Sequence, residues 1–347
     1  MEANTTEPET SPSQSSASQL FSSQTSLPQQ SPATTFAVTT PRSFVAELSL
    51  MTGLEPNNII EVLSRMIYGS NMISNAGGSL PTTYRICNAL FRGQEIPEKI
   101  AQNDFEYNEI RGHMEFRQIP VSPESIMQCY RETVQHAAAA KYLITKIVIQ
   151  QRYYDEATFQ QAHGILTHST DLSRPQVSWA DYGGYYRPLN APYDPRFLIS
   201  SQIPTAMFDM IGQLSGEMAN LDGQQAMDEN FYERISYACR FCERFIQIHP
   251  FLDGNGRMYR LFLTTLLLRA GIPPAVYGLY AYDRSRHEPV ELACYLNGNQ
   301  QPLGLQVLTP LGTNTHLVKF VVDHTYCRWK SPENDMSKFL RATGQGP

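Results

Sequence analysis

Basic residues are in short supply. Lys and Arg number 27 against 33 Asp and Glu in 347 residues, a formal net charge of −6. The positive excess that binding along a phosphate backbone demands is missing, so nucleic acid is not expected as a partner. Cysteine is scarce too, with six spread over the chain at Cys87, Cys129, Cys239, Cys242, Cys294 and Cys327. That is too few for a disulfide framework and points to a reducing compartment, the cytoplasm or the nucleus. Cys239 and Cys242 have redox or zinc spacing, but they lie in an amphipathic helical run with no second Cys/His pair at zinc-finger distance, so helix packing is their expected role. No apolar run reaches the ~20 residues of a membrane span. The longest, residues 261–268, is interrupted by Thr264 and Thr265 and closed by Arg269, and no membrane contact is expected. The first residues have neither a positive n-region nor an apolar h-region, so a secretory signal is not expected either. With 41% apolar and 17% charged residues, the chain is neither collagen, coiled coil nor wholly disordered.

Lys and Arg are absent altogether from residues 1–40, where 26 positions are Ser, Thr, Pro or Gln. Residues 1–42 therefore read as a disordered tail, a solvated spacer in preference to a phosphorylated regulatory segment. Beyond it the chain reads as mainly helical, an N-terminal helical region over 43–120, a core over 121–330 and a C-terminal tail over 331–347. Apolar residues recur every three or four positions over 56–70 and 123–149. Over 230–249 one stripe carries Phe231, Ile235, Ala238, Cys242, Phe245 and His249, while Glu233, Arg240, Glu243 and Arg244 point elsewhere. Pro250 ends that helix. A second starts near Gly256 and is stopped by Gly271, Pro273 and Pro274. Between 181 and 204 the period is lost among glycines and prolines, which predicts a loop with at most a short hairpin.

The two helices bracket the sequence H-P-F-L-D-G-N-G-R-M-Y-R at 249–260. Pro250 and Gly254 make a continuous helix improbable there, so His249 and Asp253, four apart, belong to a loop. Gly254, Asn255 and Gly256 tolerate crowded or left-handed backbone, letting successive N–H groups point into one concavity at a helix start, a place that attracts phosphate. Arg257 and Arg260 stand on the first turn of that helix. Cations are disfavoured at the positive end of the helix dipole unless an anion sits there, so two arginines suggest a polyphosphate, with Asp253 holding a divalent cation. His249 is the one side chain of the cluster that takes a proton near neutral pH, a candidate general base.

This stretch resembles the complete signature of the Fic family, H-P-F-x-[D/E]-G-N-[G/K]-R-x-x-R. The resemblance implies an all-α, Fic-type helical bundle with a short β-hairpin flap, whose members mostly transfer AMP from ATP to a protein hydroxyl. Carried over residue by residue, it implies that His249 deprotonates a Ser, Thr or Tyr of the protein partner and that Phe251 anchors the loop. Asp253 positions Mg²⁺, Gly254, Asn255 and Gly256 form the anion hole, and Arg257 and Arg260 hold the β- and γ-phosphates. His163-Gly-Ile-Leu166 and Gly184-Tyr-Tyr-Arg187 resemble further family stretches. They place a target-holding flap near 189–202, including Ile199, Ser200, Ser201 and Gln202. Self-association is compatible with the family.

Residues 70–75, S-N-M-I-S-N, resemble the family's inhibitory motif [S/T]-x-x-x-E-[G/N] at Ser70, Ile73 and Asn75, but with Ser74 where the motif has Glu. A neutral hydroxyl cannot make the charge-assisted pair with Arg260, so the resemblance implies a brake that has lost its acid, an arginine left free and a de-repressed transferase. Downstream, Arg286-His287-Glu288-Pro289 occupies the region that supplies a tyrosine near adenine, and Asn297 is a candidate base contact or a loop residue. Two other readings stand beside AMP transfer: the same fold with UTP or another nucleotide donor, and a catalytically silent nucleotide-binding module.

Overall fold

The computed structural model describes residues 43–173, 176–191, 194, 196–222, 231–282, 284–287 and 315–329. The expected tails at 1–42 and 331–347 lie outside them. The described chain is all-α. Its helices are α1 (Phe44–Thr52), α2 (Pro56–Ile73), α3 (Leu80–Phe91), α4 (Phe105–Phe116), α5 (Pro123–Leu143), α6 (Glu156–Thr167), α7 (Trp179–Tyr182), α8 (Ile203–Asp222), α9 (Phe231–Ile248), α10 (Asn255–Arg269) and α11 (Thr315–Trp329). Two-residue strands pair antiparallel, Leu172 opposite Val177 and Ser173 opposite Gln176.

Local chemistry sets the ends. Ser122 caps α5 by accepting from Ser125 N–H, Ser125 returns the bond to Ser122 N–H, and Pro123 fills the first helical position, where an N–H has no use. The regular α-helix stops at Leu143, and residues 144–149 continue as a π-turn in which Gln150 N–H reaches Thr145 O at 2.9 Å. Arg269 donates to the carbonyl of Ile147 at the end of that turn, 2.8 Å away.

Helix α5 packs against α2, α3, α4, α6 and α10. It accepts so many neighbours because Ala137, Ala139 and Ala140 are fully buried and let other backbones approach. Helix α10 is buried all round, every residue from Arg257 to Leu268 included, as befits a helix apolar on all faces. Two arginines therefore enter the interior on it. Helix α9 buries the expected stripe at Ile235, Ala238, Cys242 and Phe245. Glu243, expected on its open side, is buried too, because α8, α10 and α11 all cover this helix. Cys239 and Cys242 are fully buried, which agrees with a packing role.

Gly69 of α2 lies against the segment after α10. A Cβ at Gly69 would stand 1.9 Å from the carbonyl oxygen of Tyr277, a backbone atom that cannot swing aside. We expect Gly69→Ala to lower the unfolding free energy by about 2 kcal/mol through overpacking alone. Chemical denaturation followed by circular dichroism reads this directly.

Candidate active site

The peptide chain leaves α9 at Ile248, and His249 takes a left-handed conformation, φ 49°, uncommon outside glycine. Pro250, which disfavours the right-handed helical region for the residue before it, follows immediately. Arg187 holds this turn. Its guanidinium donates to the carbonyls of His249 (2.6 Å), Leu198 (2.7 Å) and Ile248 (3.3 Å), and its own N–H donates to Pro250 O at 2.8 Å. A cation thus caps the negative end of α9.

Phe251 is fully buried, bridged to Tyr186 by backbone pairing. Its ring stacks on His163 of α6, centroids 3.8 Å apart and planes 3° from parallel. His163 also fixes the backbone. Its Nδ1 accepts from Gly184 N–H at 2.9 Å, which leaves Nε2 to carry the proton and donate to Asp253 O, also at 2.9 Å. Burial pushes its pKa down to about 4, so the ring is neutral near pH 7 and this tautomer is the one both partners require.

Asn255 closes the turn from within. Its Oδ1 accepts from Phe251 N–H (3.0 Å) and its Nδ2 donates to Phe251 O (2.7 Å). The Asn255 side chain is thus engaged in shaping the loop, while backbone N–H groups, the donors expected of this stretch, open α10 without intrahelical partners. Gly254 precedes them at φ 76°, where a Cβ would be strained.

Arg257 and Arg260 are 5% and 3% exposed. Arg257 pairs with Asp253 at 3.2 Å, one turn away, and its Nη1 is buried with no hydrogen-bond partner among the described residues. The expectation that Arg260 is free does not hold. Its Nε donates to Ser70 Oγ (2.8 Å) and its Nη2 to Ser70 O (3.0 Å) and Ser74 Oγ (2.5 Å), so the end of α2 still holds it. No carboxylate joins in among the described residues; the acceptors are hydroxyl and carbonyl oxygens. Asn75, left-handed at φ 51°, is pinned by Arg117 at 2.8 Å.

The sequence reading missed His136. Buried on α5, it contacts Asn71 Oδ1 through Nδ1 at 2.7 Å. Burial, then the charges of Arg257 and Arg260, hold its pKa well below the usual value. Its neutral ring adds no third cation beside the two guanidiniums.

The ring of His249 is half-buried, stacked on Phe197 with centroids 3.6 Å apart. Burial first, then the charge of Arg187, push its pKa to about 3, against the opposing effect of Asp194. A neutral imidazole near pH 7 is what a proton acceptor requires.

The proposed flap differs from a hairpin. None of its described residues is in a strand. Ser200–Gln202 form a 3-10 turn leading into α8, and Ile199 stands exposed before them; Pro192 and Pro195 lie outside the described residues. His287 is fully buried, its ring stacked with Tyr259 and Tyr277, so it belongs to the core and not to a base pocket. Asn297 lies outside the described residues.

As for a metal, Asp253 offers one half-exposed carboxylate. This fits a Mg²⁺ ion that arrives with substrate phosphates and keeps its waters, not one caged by protein; among the described residues no cluster of three His, Cys, Asp or Glu could do that.

A helix start with N–H groups and two buried cations, preceded by a neutral histidine, is an arrangement suited to an anion and to the uptake of a proton. Residues 153–267 match the Fic/DOC family. It is 26% identical over 227 residues to the protein adenylyltransferase Fic of Nematostella vectensis, covering 65% of this chain and 47% of that protein. It is 47% identical over 130 residues to that of Drosophila mojavensis, covering 37% and 24%. The chain thus spans about half or less of these relatives' length. Its fold resembles the crystal structure of a Fic domain containing signaling protein from Bacteroides thetaiotaomicron, with a TM-score of 0.53, 16% identity, and coverage of 88% of this chain and 98% of that one.

Histidines that burial keeps neutral make stability depend on pH. The unfolded chain takes up protons near the ordinary pKa of 6.5, while folded His163 takes one only near 4 and His287 only near 3. Between those values the unfolded state holds more protons, so stability falls as pH falls. Thermal melts at about pH 7.5, 6 and 5 are expected to show a steady drop, and calorimetry at about pH 5.5 should record proton uptake on unfolding.

Proposed function

We propose that this chain transfers AMP from ATP to a Ser, Thr or Tyr hydroxyl of a protein. The observation that carries the reading is the neutral His249 held at the mouth of a helix start whose two buried guanidiniums lack a full complement of anions. Relatives named protein adenylyltransferase support it.

In this reading the hydroxyl oxygen attacks the α-phosphorus while its proton passes to the imidazole of His249. The new O–P bond forms as the bond to the β-phosphate oxygen breaks, and pyrophosphate leaves in line. Backbone N–H groups at the start of α10 stabilise the charge building on the α-phosphate. Arg257, with an unpartnered buried Nη1, and Arg260 hold the leaving phosphates. Asp253 would hold the Mg²⁺ that travels with the nucleotide and offsets its charge.

Ser70 and Ser74 are neutral acceptors, and charge-assisted bonds are roughly twice as strong as neutral ones. A γ-phosphate therefore displaces them from Arg260 where a glutamate would compete. On this reading the transferase is de-repressed.

Incubation with α-labelled ATP and Mg²⁺, with intact-mass readout, should show a gain of one AMP. In His249→Ala it should fall by about 100-fold or more, and Ser74→Glu should label far more slowly than the unsubstituted chain. Labelling that survives loss of the imidazole would end the proposal, and a panel of labelled nucleotides identifies another donor if ATP is not used.

The pH profile offers a separate check. Because burial lets the His249 imidazole gain its proton only near pH 3, kcat/KM should stay level from about pH 8 down to about pH 5. An acid limb centred near 6.5 would show that His249 is not the base, or is not held as described.

A further inference from the structure

Helix α2 has two working faces. At 100° per residue, Ser70 and Ser74 point to one side, towards Arg260, while Arg65 and Tyr68 point to the opposite side. On that reverse side a cleft of about 440 Å³ opens between α2, the start of α3, α4 and the stretch at 279–280. Its volume falls within the range of small-molecule sites. Leu80, Pro81, Leu279, Phe116 and Tyr280 give it apolar walls, and the ring of Phe116, 88% exposed, stands at its edge.

Two side chains lining this cleft each keep one nitrogen without a hydrogen-bond partner among the described residues. Arg65 is 7% exposed; its Nη2 pairs with Glu61 at 2.9 Å, but its Nε is buried without a hydrogen-bond partner among the described residues. Across the cleft on α4, the Nε2 atom of His113 is likewise buried and unpartnered. Buried polar atoms of this kind are rare without a ligand or water to meet them. Local charge is mixed, with a positive margin. Glu61 offsets Arg65, and Glu109 faces the cleft accepting weakly from Ser79 at 3.4 Å. Arg117 and Arg284 both reach Tyr68 and His113 electrostatically. Together, flat apolar walls, an unpartnered guanidinium N–H and this field select a small ring system bearing one negative charge.

We propose that the cleft behind α2 is a binding site for a small aromatic monoanion such as an aryl carboxylate, with its rings against Phe116, Leu80 and Tyr280 and its carboxylate on Arg65 and His113. The site lies on the opposite face of α2 from the residues that hold Arg260, so it is separate from the phosphate cradle and does not rest on the proposed reaction.

The fold supplies a clean blocking variant. Gly112 of α4 lines the cleft and is exposed, and a Cβ there meets nothing within 4 Å. Gly112→Phe therefore fills the space without disturbing the core. The probes are 2-naphthoate and its neutral isostere 2-naphthamide, added at millimolar concentration to the full chain and followed by saturation-transfer NMR. We expect naphthoate to bind more tightly than the amide, and Gly112→Phe to abolish binding of both while leaving the melting temperature unchanged. Arg65→Met should weaken naphthoate about tenfold and the amide little, the loss of one charge-assisted bond. ATP should displace neither. The proposal fails if naphthoate does not bind, if the amide binds equally well, if binding survives Gly112→Phe, or if ATP competes, which would put the probe in the phosphate cradle.

Discussion

The imidazole of His163 receives a hydrogen bond from Gly184 at one nitrogen and must therefore give its proton at the other, to the carbonyl of Asp253. Because the ring is buried and neutral, neither contact can be exchanged for a charge, and the stack against Phe251 leaves it no room to turn. The chain at 251–253 is thus positioned by a residue some ninety positions earlier. Arg187 does the same for 248–250 from the other side, and Asn255 ties 251 to the first turn of α10. All three act on backbone atoms. None of the three is His249, Asp253, Arg257 or Arg260, whose side chains make contacts of their own.

Electrostatics follow from that placement. Two guanidiniums are drawn inside on a helix buried on every face, at the end where its own dipole is positive. Asp253 offsets one of them in part; the other is surrounded by neutral oxygens. His136 nearby stays neutral, first because it is buried and then because a further positive charge beside Arg257 and Arg260 is unfavourable. At His249 burial, then the charge of Arg187, keeps the ring neutral and able to accept a proton.

Much of this was legible in the chain, for definable reasons. The chemistry occupies twelve consecutive residues between two strongly periodic helices, so the loop and both helix ends could be read to within a residue or two. The support for that loop could not. The family resemblance picks out the stretches carrying His163 and Arg187, but their roles are sets of hydrogen bonds to distant backbone atoms, and such bonds leave no period or spacing. That Gly254, Asn255 and Gly256 could gather their N–H groups at a helix start is legible in the sequence, but the return of the Asn255 side chain onto Phe251 is visible only in the structure. Arg260 was read as free because a missing carboxylate is visible in a sequence, whereas a serine carbonyl that takes its place is not. Proline spacing told of an irregular segment near 189–202 but not that it ends in a 3-10 turn.

Considered as an engineering part, the signature stretch is not self-sufficient. Twelve residues cut out and spliced between two foreign helices would keep their Asn255 stitch but lose both outside anchors, and the left-handed twist at His249 would have nothing to enforce it. The smallest transplantable unit is three separate pieces of chain, the loop with its flanking helices, the helix bearing His163, and the Gly184 to Arg187 crossing, delivered together in register.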